Sequence, residues 1–421
     1  MNKDVTSKMS KKLTLTLLGS VVISAIAVVP SASGADHISL HYMNFEEYDD
    51  KINAADNILS IEKNFGLNWT LNAELGYDSV SGASPSWGPT TPVSSNVERI
   101  DRALQTRKAQ AKTDAVIRAG YDPYRSGYAI QRYELEDTRY SGSLNLTYRD
   151  TLRNEWSLGI NYSQEDDYQS KGINAQALIY ADSSKNRSYT FAGSLLFDNT
   201  LAFQKYSEFK NIQQWESVFK GEAEVGLSQV FTPHFYATAT LYGGYKGGYL
   251  SNHYLTVLRE VDINNNAIIE NDEIFLGQDT RPDARLFGGF SVRGFYYLNN
   301  YLSVQPSYKF FMDDWGIVAH QMGAKVNINI TSWLSIIPGY TWYNQQGANF
   351  YRDVNASNNA FSESGYASSD FRLGDFSANG YELGISLKVA KKWRINALSA
   401  YYEQSNGYAN QWWILGATYE F

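Results

Sequence analysis

Cysteine is absent from the 421-residue sequence, proline is scarce at 9 residues, and long apolar runs are almost missing. Without cysteine the chain has no disulfide framework, no thiolate metal site and no cysteine nucleophile. Only residues 13–29 approach the run of about 20 apolar residues that a transmembrane helix needs. A polytopic helical membrane protein is therefore excluded.

Basic residues are also in the minority, since 36 Lys and Arg stand against 44 Asp and Glu and give a net charge of -8. This acidic balance argues against nucleic acid as a partner. Aromatic residues are abundant at 15% of the chain, and tyrosine alone occurs 32 times. Such a composition excludes a disordered chain and favours one large sheet of many strands.

The N-terminus has the organisation of a secretory signal peptide. Four lysines within residues 3–12 precede the apolar stretch 13–29, and small residues follow at 31–35. This order predicts a signal peptide over residues 1–34, whose removal leaves a mature chain of residues 35–421. The alternative, an uncleaved membrane anchor, would be short for a bilayer span.

Much of the remaining sequence alternates apolar and polar residues with a period of two. In residues 156–165, Trp, Leu, Ile and Tyr fall on one side and Ser, Gly and Asn on the other. Residues 69–78, 318–330 and 381–389 repeat the pattern. One apolar face at this period predicts strands, and aromatic residues at the ends of the apolar band are typical of membrane-spanning strands.

The alternation continues to the C-terminal residue. Trp413, Leu415, Ala417, Tyr419 and Phe421 share one face of the last segment. A terminal strand that ends on an aromatic residue resembles the signal by which the outer-membrane barrel assembly machinery recognises its substrates. We therefore expect insertion into outer-membrane lipid. The alternative is an edge strand of a soluble sheet, but its exposed aromatic face would invite aggregation.

Sixteen segments carry the strand pattern, within a range of fourteen to eighteen because sequence patterns fix boundaries poorly. The segments are residues 37–45, 55–65, 68–79, 138–149, 154–165, 168–181, 187–198, 219–231, 235–248, 283–298, 301–312, 315–330, 333–345, 376–390, 393–404 and 410–421. An even number puts both termini on the periplasmic side. The prediction is an all-β, transmembrane, antiparallel up-and-down outer-membrane barrel. Its four long outer loops are residues 80–137, 199–218, 249–282 and 346–375.

The first outer loop contains a helix-like segment. Residues 97–119 place apolar residues at helical spacing with Arg and Lys between them, and Gly120 follows as a stop. We expect an amphipathic helix there. Two placements are open: packed on the barrel mouth with a solvated face, or folded into the lumen as a plug.

The third outer loop contains a calcium-like motif at residues 262–273, with oxygen-bearing side chains at the spacing of an EF-hand loop. The expected ligands are Asp262, Asn264, Asn266, the backbone carbonyl of Ile268, Glu270 and Glu273. Ala267 stands where the motif uses glycine, and the flanking segments are strand-like. The alternative is an Asn-rich surface turn without calcium. We expect no other cofactor.

Charged residues on the polar strand faces are expected to line the lumen. In the first half of the barrel they are mostly acidic: Glu74, Asp78, Glu155, Glu165, Glu222 and Glu224, with Arg149 as an exception. In the second half they are mostly basic: Arg285, Arg293, Lys309, Lys325, Lys388 and Arg394, with Glu382 and Glu420 as exceptions. Opposed walls would produce a transverse field. A register slip of one residue would exchange the two faces.

An enzymatic role would need a histidine within reach of a serine or a carboxylate. The histidines of the mature chain are His37, His41, His234, His253 and His320. Alternation places His320 on the lipid side, and His234 falls in a periplasmic turn. No catalytic constellation follows, so we expect no enzyme, and an outer-membrane hydrolase is the least favoured function.

Several short motifs lie at predicted strand ends. They are residues 78–85 (DSVSGASP), 165–170 (EDDYQS), 281–285 (RPDAR), 313–315 (DDW) and 348–351 (ANFY). With these motifs, residues 36–421 resemble a bacterial outer-membrane family catalogued only as a domain of unknown function. The resemblance implies a shared architecture of the barrel rim and no catalytic residues. It also implies that genes for a small lipoprotein and a periplasmic flavin-transferase-like protein lie nearby, which is compatible with a redox-linked envelope role and with a periplasmic or lipoprotein partner.

The function expected from the sequence is a porin-like channel, or a transport or assembly platform of an envelope system, in the outer membrane. A non-conducting structural or adhesion barrel is the alternative. Conduction requires an open lumen, and a sealed lumen would favour the alternative.

Overall fold

The computed structural model describes residues 36–48, 52–89, 117–118, 128–203, 213–270 and 273–421. Within these residues, sixteen strands pair with their neighbours antiparallel, and the first pairs with the last to close a barrel. The predicted sixteen-stranded all-β barrel is confirmed. The predicted signal peptide, residues 1–34, lies outside the described residues.

The barrel strands are β1 (His37–Glu47), β2 (Ile52–Phe65), β3 (Trp69–Pro89), β5 (Tyr128–Arg149), β6 (Glu155–Gln164), β7 (Tyr168–Tyr180), β8 (Arg187–Phe203), β9 (Gln213–Thr232), β10 (Phe235–Gly248), β14 (Ala284–Asn299), β15 (Leu302–Asp313), β16 (Val318–Asn329), β17 (Leu334–Gln346), β19 (Phe376–Ala390), β20 (Trp393–Gln404) and β21 (Ala409–Glu420). Shorter strands in the outer loops are β4 (Ile117–Arg118), β11 (Thr256–Glu260), β12 (Ile268–Ile269), β13 (Ile274–Gln278) and β18 (Phe361–Ser362). A single-turn 3-10 helix covers Phe371–Leu373. No helix in the described ranges is long and apolar enough to cross a membrane.

Alternation along each strand decides which side chains face outwards. In β6, Leu158 and Ile160 are exposed, and Leu158 has 64% of its surface open. Leu144 of β5 and Ile173 of β7 are exposed beside them, and each lies opposite a β6 residue of the same face. The closed sheet leaves this apolar band without a protein partner, so the band is the surface that a bilayer would cover.

Aromatic pairs border the apolar band at both ends. On β3 and β5, Trp69 contacts Tyr148 near the end of the barrel where β1 begins and β21 ends, with ring centroids 4.8 Å apart. Tyr77 contacts Tyr140 nearer the outer end at 5.2 Å. Eight residues of strand separate the two pairs, which corresponds to about 26 Å along the strand. Rings at both edges of an apolar band are typical of outer-membrane barrels.

Two outer connections are shorter than predicted because the strands continue beyond the apolar band. Residues 80–89 and 128–137, expected in the first loop, pair with each other and extend β3 and β5. Residues 199–203 and 213–218 extend β8 and β9 in the same way. Outside the band no lipid constrains every second side chain, so the sequence pattern ends while the backbone pairing goes on.

The predicted helix over residues 97–119 lies mostly outside the described residues. Ile117 and Arg118 form β4, which pairs in parallel with β12 of another loop. The helix prediction is therefore wrong for these two residues. A tertiary backbone partner decides their conformation, and local spacing of apolar residues does not reveal such a partner.

The outward face of β7 offers a test of the membrane-facing band. Ile173 is exposed between Ile160 and Leu195 of the adjacent strands, near the middle of β7. We expect Ile173→Arg to cost about 2–4 kcal/mol of folding free energy in lipid bilayers, because the charge would sit in hydrocarbon. Gln176→Arg, on the inward face of the same strand, is the control and should cost much less. Equal costs in reversible unfolding would contradict the assignment of the two faces.

Candidate functional site

The predicted lumen residues lie on the strand faces opposite to the exposed apolar side chains. On β3, Glu74 and Asp78 alternate with exposed Leu75 and Tyr77. The same alternation and register place on the inward face Glu155, Glu222, Glu224, Arg285, Arg293, Lys309, Lys325, Lys388 and Arg394. Glu165 follows β6 in the outer turn that leads to β7. Their part in conduction stays a prediction.

Solvent reaches the inward-facing charges over the middle of the barrel and towards the end where β1 begins. Exposed side chains there are Glu74, Glu222, Glu224, Arg293, Lys309, Lys325 and Lys388. All of them point towards the barrel axis, so the lumen is wide enough to hold water over this length. A barrel of this strand number is expected to enclose an aqueous interior.

At the outer end, inward-facing side chains are buried instead. Asp78, Asp198 and Gln345 have 6%, 2% and 7% of their surface exposed. Two outer connections cover this end: residues 249–283, between β10 and β14, and residues 347–375, between β17 and β19. We call these two segments the outer cap.

Backbone pairing joins the two segments of the outer cap. β11 pairs antiparallel with β13 of its own segment and in parallel with β18 of the other segment. Thr280 and Ala367 form a further bridge between the segments. The apolar core of the cap consists of Leu258, Ile269, Ile274 and Ala360, packed with Trp87 of β3. The cap is therefore a folded layer with its own core.

Tyr254 anchors the cap to a wall far from its entry point. Its segment leaves the barrel at β10, yet Tyr254 packs against Phe45, Ala54 and Val80 on the inward faces of β1, β2 and β3. The Tyr254 hydroxyl donates a hydrogen bond to Asp167, in the outer turn between β6 and β7. The first segment of the cap therefore crosses the barrel mouth.

The second segment of the cap has its own anchors. The inward-facing amide of Gln345 on β17 donates to the carbonyls of Arg372 and Gly374 at 3.0 and 2.8 Å. The ring of Phe371 stacks on Tyr408, which precedes β21, at 4.8 Å. These contacts tie residues 347–375 to the rim on both sides of β19.

A buried ion-pair cluster holds the two segments to each other. Arg281 donates to Asp279 Oδ1 at 2.7 Å and to Asp370 Oδ2, in the other segment, at 2.9 Å. These three side chains are almost completely buried. Arg372 donates to Asp370 Oδ2 at 2.6 Å, and the Ser368 hydroxyl donates to Asp279. Removing one partner of a buried pair typically costs about 3–5 kcal/mol because a charge stays behind uncompensated.

The charge state of Asp370 follows from this cluster. Burial by itself would raise the pKa of Asp370, but the guanidinium groups of Arg372 and Arg281 and their hydrogen bonds outweigh burial. The pKa of Asp370 is therefore held well below its usual range. Asp370 stays ionised at neutral pH and can bridge the two segments.

Ion pairs between adjacent strands, or across one intervening strand, neutralise part of the inward charges. Ion pairs join Arg139 to Asp78, Arg149 to Glu155, Lys220 to Asp198, Arg285 to Asp313, Lys325 to Glu382 and Arg394 to Glu420. These pairs weaken the field expected between an acidic and a basic wall. Within the described ranges, no ion pair involves acidic Glu74, Glu222 and Glu224 or basic Arg293, Lys309 and Lys388. Among the predicted lumen residues, these six are therefore the ones whose unpaired charges could form the opposed acidic and basic walls.

Glu165 lies in a cluster of acidic side chains that the sequence did not relate to one another. Asp137, Glu165 and Asp167 are all buried and approach within 4.8 Å of one another. Burial raises the pKa of Glu165 to about 8, with a further increase from Asp137 and Asp167 and an opposite effect from the guanidinium of Arg139. Glu165 is thus not an ordinary lumen carboxylate.

The calcium-like loop satisfies its own backbone. Glu273, which is fully buried, accepts the amides of Ile263 and Asn264 with Oε1 and that of Glu270 with Oε2. Asp262 accepts the amides of Asn266 and Ala267, and Asn266 accepts that of Ile268. The flanking elements are the strands β11 and β13, and Asn264 lies between them in the same loop. Because these ligand oxygens bond within the loop, calcium binding there stays a prediction.

The calcium-like loop keeps the backbone turn of the EF-hand motif although alanine replaces the glycine of the motif. Ala267 adopts a φ of +61°, the left-handed conformation for which the motif normally uses glycine. A non-glycine residue pays about 1–2 kcal/mol for this conformation. The loop therefore has the shape of the motif at this position.

The C-terminal residues lie on the outer face of β21. Trp413, Leu415 and Phe421 are exposed, and Tyr419 contacts Trp393 of β20 at 4.9 Å. Ala417 shares this face by alternation and pairs with Leu40 of β1. Recognition of this strand by the assembly machinery stays a prediction.

The residues that hold the cap were not found by sequence reasoning. Arg281 lies in the RPDAR segment that carries the family resemblance, but no spacing relates it to Asp370, 89 residues away. Tyr254 and Asp167 are likewise 87 residues apart. Contacts between loops produce no periodic pattern of residues, so a single sequence does not reveal them.

Comparison with known proteins gives a family but no activity. A family model described as "Protein of unknown function (DUF3570)" matches residues 13–421. No curated protein matches the chain. Among solved structures, a bacterial polysaccharide outer membrane secretin is similar at 8% identity and a TM-score of 0.47, over 92% of this chain and 99% of that one.

Two further structures are similar at lower scores. The siderophore receptor PirA from Pseudomonas aeruginosa has 7% identity and a TM-score of 0.38, over 88% of this chain. The chain spans only 56% of the length of that receptor. OmpT, an outer membrane protein of Vibrio cholerae, has 10% identity and a TM-score of 0.32, over 93% of this chain and 99% of its own.

Acidification should loosen the outer cap. Because the pKa of Asp370 is depressed in the folded protein, its contribution to stability is complete above the unfolded value of about 3.9 and is lost as the pH falls below it. We expect protease cleavage within residues 347–375 to stay constant from about pH 7 to 5 and to increase below about pH 4. Asp370→Asn should be cleaved readily already at pH 7.

The exposed carboxylate of the same segment, Asp353, provides the control. Asp353→Asn should retain the wild-type cleavage profile, because Asp353 accepts only local bonds from Asn355 and Tyr351. If Asp370→Asn were as resistant as the wild type at pH 7, the cluster would not hold the cap.

Proposed function

The chain belongs to DUF3570, a family of proteins of unknown function, and we propose that it acts as an outer-membrane channel gated at its outer mouth by the cap. The lumen holds water and opens towards the periplasm. The cap closes the other end at rest, and solute passes when the two cap segments separate. The role is non-enzymatic.

The contrast in exposure along the inward face carries this proposal. Glu74, Glu224 and Arg293 are exposed in the middle and periplasmic part of the barrel, whereas Asp78 and Asp198, nearer the capped end, are buried. A purely structural barrel has no need of a charged, hydrated interior. Charged rings that line a pore are the usual basis of ion selectivity.

The proposed location follows from the outer surface. The apolar band and its aromatic borders fit a bilayer, and export by the predicted signal peptide of residues 1–34 would lead to the outer membrane. The partners we propose are outer-membrane lipid and the barrel assembly machinery. A periplasmic protein or a lipoprotein at the open end would make the barrel a transport or assembly platform.

A non-conducting structural or adhesion barrel is the second candidate. The buried cluster of Asp279, Arg281 and Asp370 favours it, because this cluster keeps the outer mouth closed. Catalysis has less support. His320 hydrogen-bonds the Tyr308 hydroxyl at 2.8 Å on the outward face, away from the inward-facing carboxylates.

Deletion of the first cap segment tests the channel. Gly247 and Ala284 pair directly, so a short Gly-Ser turn replacing residues 249–282 would leave β10 and β14 joined as a hairpin. We expect low conductance for the wild type in planar bilayers and conductance several-fold higher for the deletion, because the first cap segment crosses the barrel mouth.

The same Gly-Ser linker inserted in the periplasmic turn at residues 182–186 is the control and should leave conductance low. Circular dichroism confirms that each variant retains its strands. A folded deletion variant without conductance would exclude the channel and favour the structural barrel.

Charge selectivity tests the lumen lining in the open variant. Arg293 and Lys309 face inward, are exposed and have no ion pair within the described residues, unlike Arg285, which pairs with Asp313. In the deletion variant, Arg293→Glu with Lys309→Glu should shift the reversal potential towards cation selectivity. Lys391→Glu with Lys392→Glu, in the periplasmic turn after β19, is the charge-matched control. An unchanged reversal potential would remove both residues from the conduction path.

A further inference from the structure

Three carboxylates meet under the rim of the barrel. Asp137 lies in the outer part of β5, and Glu165 and Asp167 lie in the turn between β6 and β7. Each offers an oxygen, and these oxygens lie within 4.8 Å of one another. Each residue has only 7% of its surface exposed. Carboxylates at this separation repel one another unless a proton or a cation lies between them.

Glu165 gives a separate reason to expect a ligand at this place. Its Oε2 atom is buried and makes no hydrogen bond within the described part of the chain. The guanidinium of Arg139 is near but is held by Asp78 at 2.7 Å. A carboxylate oxygen buried in this way is costly in its ionised form unless it meets a positive charge.

The other two carboxylates are oriented by the structure around them. Asp137 accepts the amide of Thr138 through Oδ1 at 2.7 Å. Asp167 accepts the hydroxyl of Tyr254 from the outer cap, and its backbone carbonyl accepts the amide of Leu201 at 2.8 Å. The side chain of Asp137 is thus held within β5 and that of Asp167 by the cap, while β8 holds the backbone of Asp167. Ligand oxygens held in advance in this way favour metal binding.

We infer that Asp137, Glu165 and Asp167 bind a calcium ion. The group contains only carboxylate oxygens, which are the ligands of hard divalent cations and not of zinc or copper. Calcium accepts six to eight oxygen ligands in a flexible geometry, whereas magnesium keeps several waters and is usually bound through only one or two carboxylates. Three carboxylates around one position therefore favour calcium. Water or backbone carbonyls complete the coordination.

Calcium at this site would join the barrel wall to the cap. Asp167 binds both the ion and Tyr254, so the ion would fix the carboxylate on which the crossing segment is anchored. Bound calcium therefore holds the outer mouth closed. The binding site stands on its own geometry, whereas this effect on gating rests on the proposed function.

Calorimetry of the full-length barrel in detergent, first treated with chelator and then titrated with calcium chloride in magnesium-containing buffer, tests the site. We expect Glu165→Gln to reduce the number of bound calcium ions by one. Asp166→Asn is the matched control, since Asp166 is exposed between the two ligands of the turn and lies outside the group. Asp166→Asn should keep the wild-type stoichiometry.

Glu273→Gln separates this site from the calcium-like loop. If residues 262–273 bind calcium, the wild type takes up two ions and each of Glu165→Gln and Glu273→Gln removes one. If the loop binds none, only Glu165→Gln has an effect. Circular dichroism confirms that the variants are folded. Unchanged calcium uptake in folded Glu165→Gln, or no uptake by the wild type, would overturn the proposal.

The conductance of the cap deletion keeps the two proposals apart. Calcium uptake at Glu165 in a barrel whose cap deletion does not conduct would leave the metal site standing and exclude the channel. Conductance without calcium uptake would leave the channel and exclude the metal site. If the channel and the metal site are both correct, calcium should lower the open probability of the wild type, and Glu165→Gln should abolish that response.

Discussion

Closure of the sheet is the constraint on which the rest of the structure depends. A strand inside a bilayer has to bond every backbone N–H and C=O to protein, so an unpaired edge is not tolerated. The pairing of β1 with β21, from His37 with Glu420 to Glu47 with Asn410, removes the last edge. Once the sheet is closed, the alternation that turns Leu158 outwards turns Glu155 inwards. The apolar surface and the charged lumen therefore have one cause.

A closed sheet of sixteen strands encloses more space than its own inward side chains fill, and the exposure of Glu74 and Arg293 shows the remaining space. At the outer end the chain fills this space with its own loops. Tyr254 and Gln345 attach the two cap segments to different walls, and Arg281 joins the segments to each other. The lumen is therefore asymmetric: its capped end is packed with protein, and the opposite end is hydrated.

Alternation predicts the strands well because lipid constrains every second residue, and it predicts their ends poorly where they leave the lipid, as at residues 80–89. Spacing alone identifies the motif at residues 262–273, yet the structure directs the carboxylates of Asp262 and Glu273 to amides of the same loop. The contact of Arg281 with Asp370 is beyond any local pattern, because it depends on how two loops meet in space.

A buried ion pair would suit the cap opening that the proposed channel requires. Transfer of two charges from water into protein costs several kcal/mol per ion, and well-packed apolar residues in their place are often more stabilising. A cap held only by apolar contacts would therefore be harder to open. The contact of Arg281 with Asp370 exists only while the two segments meet, and on separation each residue would regain water and keep the partner of its own segment, Asp279 or Arg372. Their pairing would therefore make the closed arrangement specific at little cost to opening, which is the balance that the proposed gating requires.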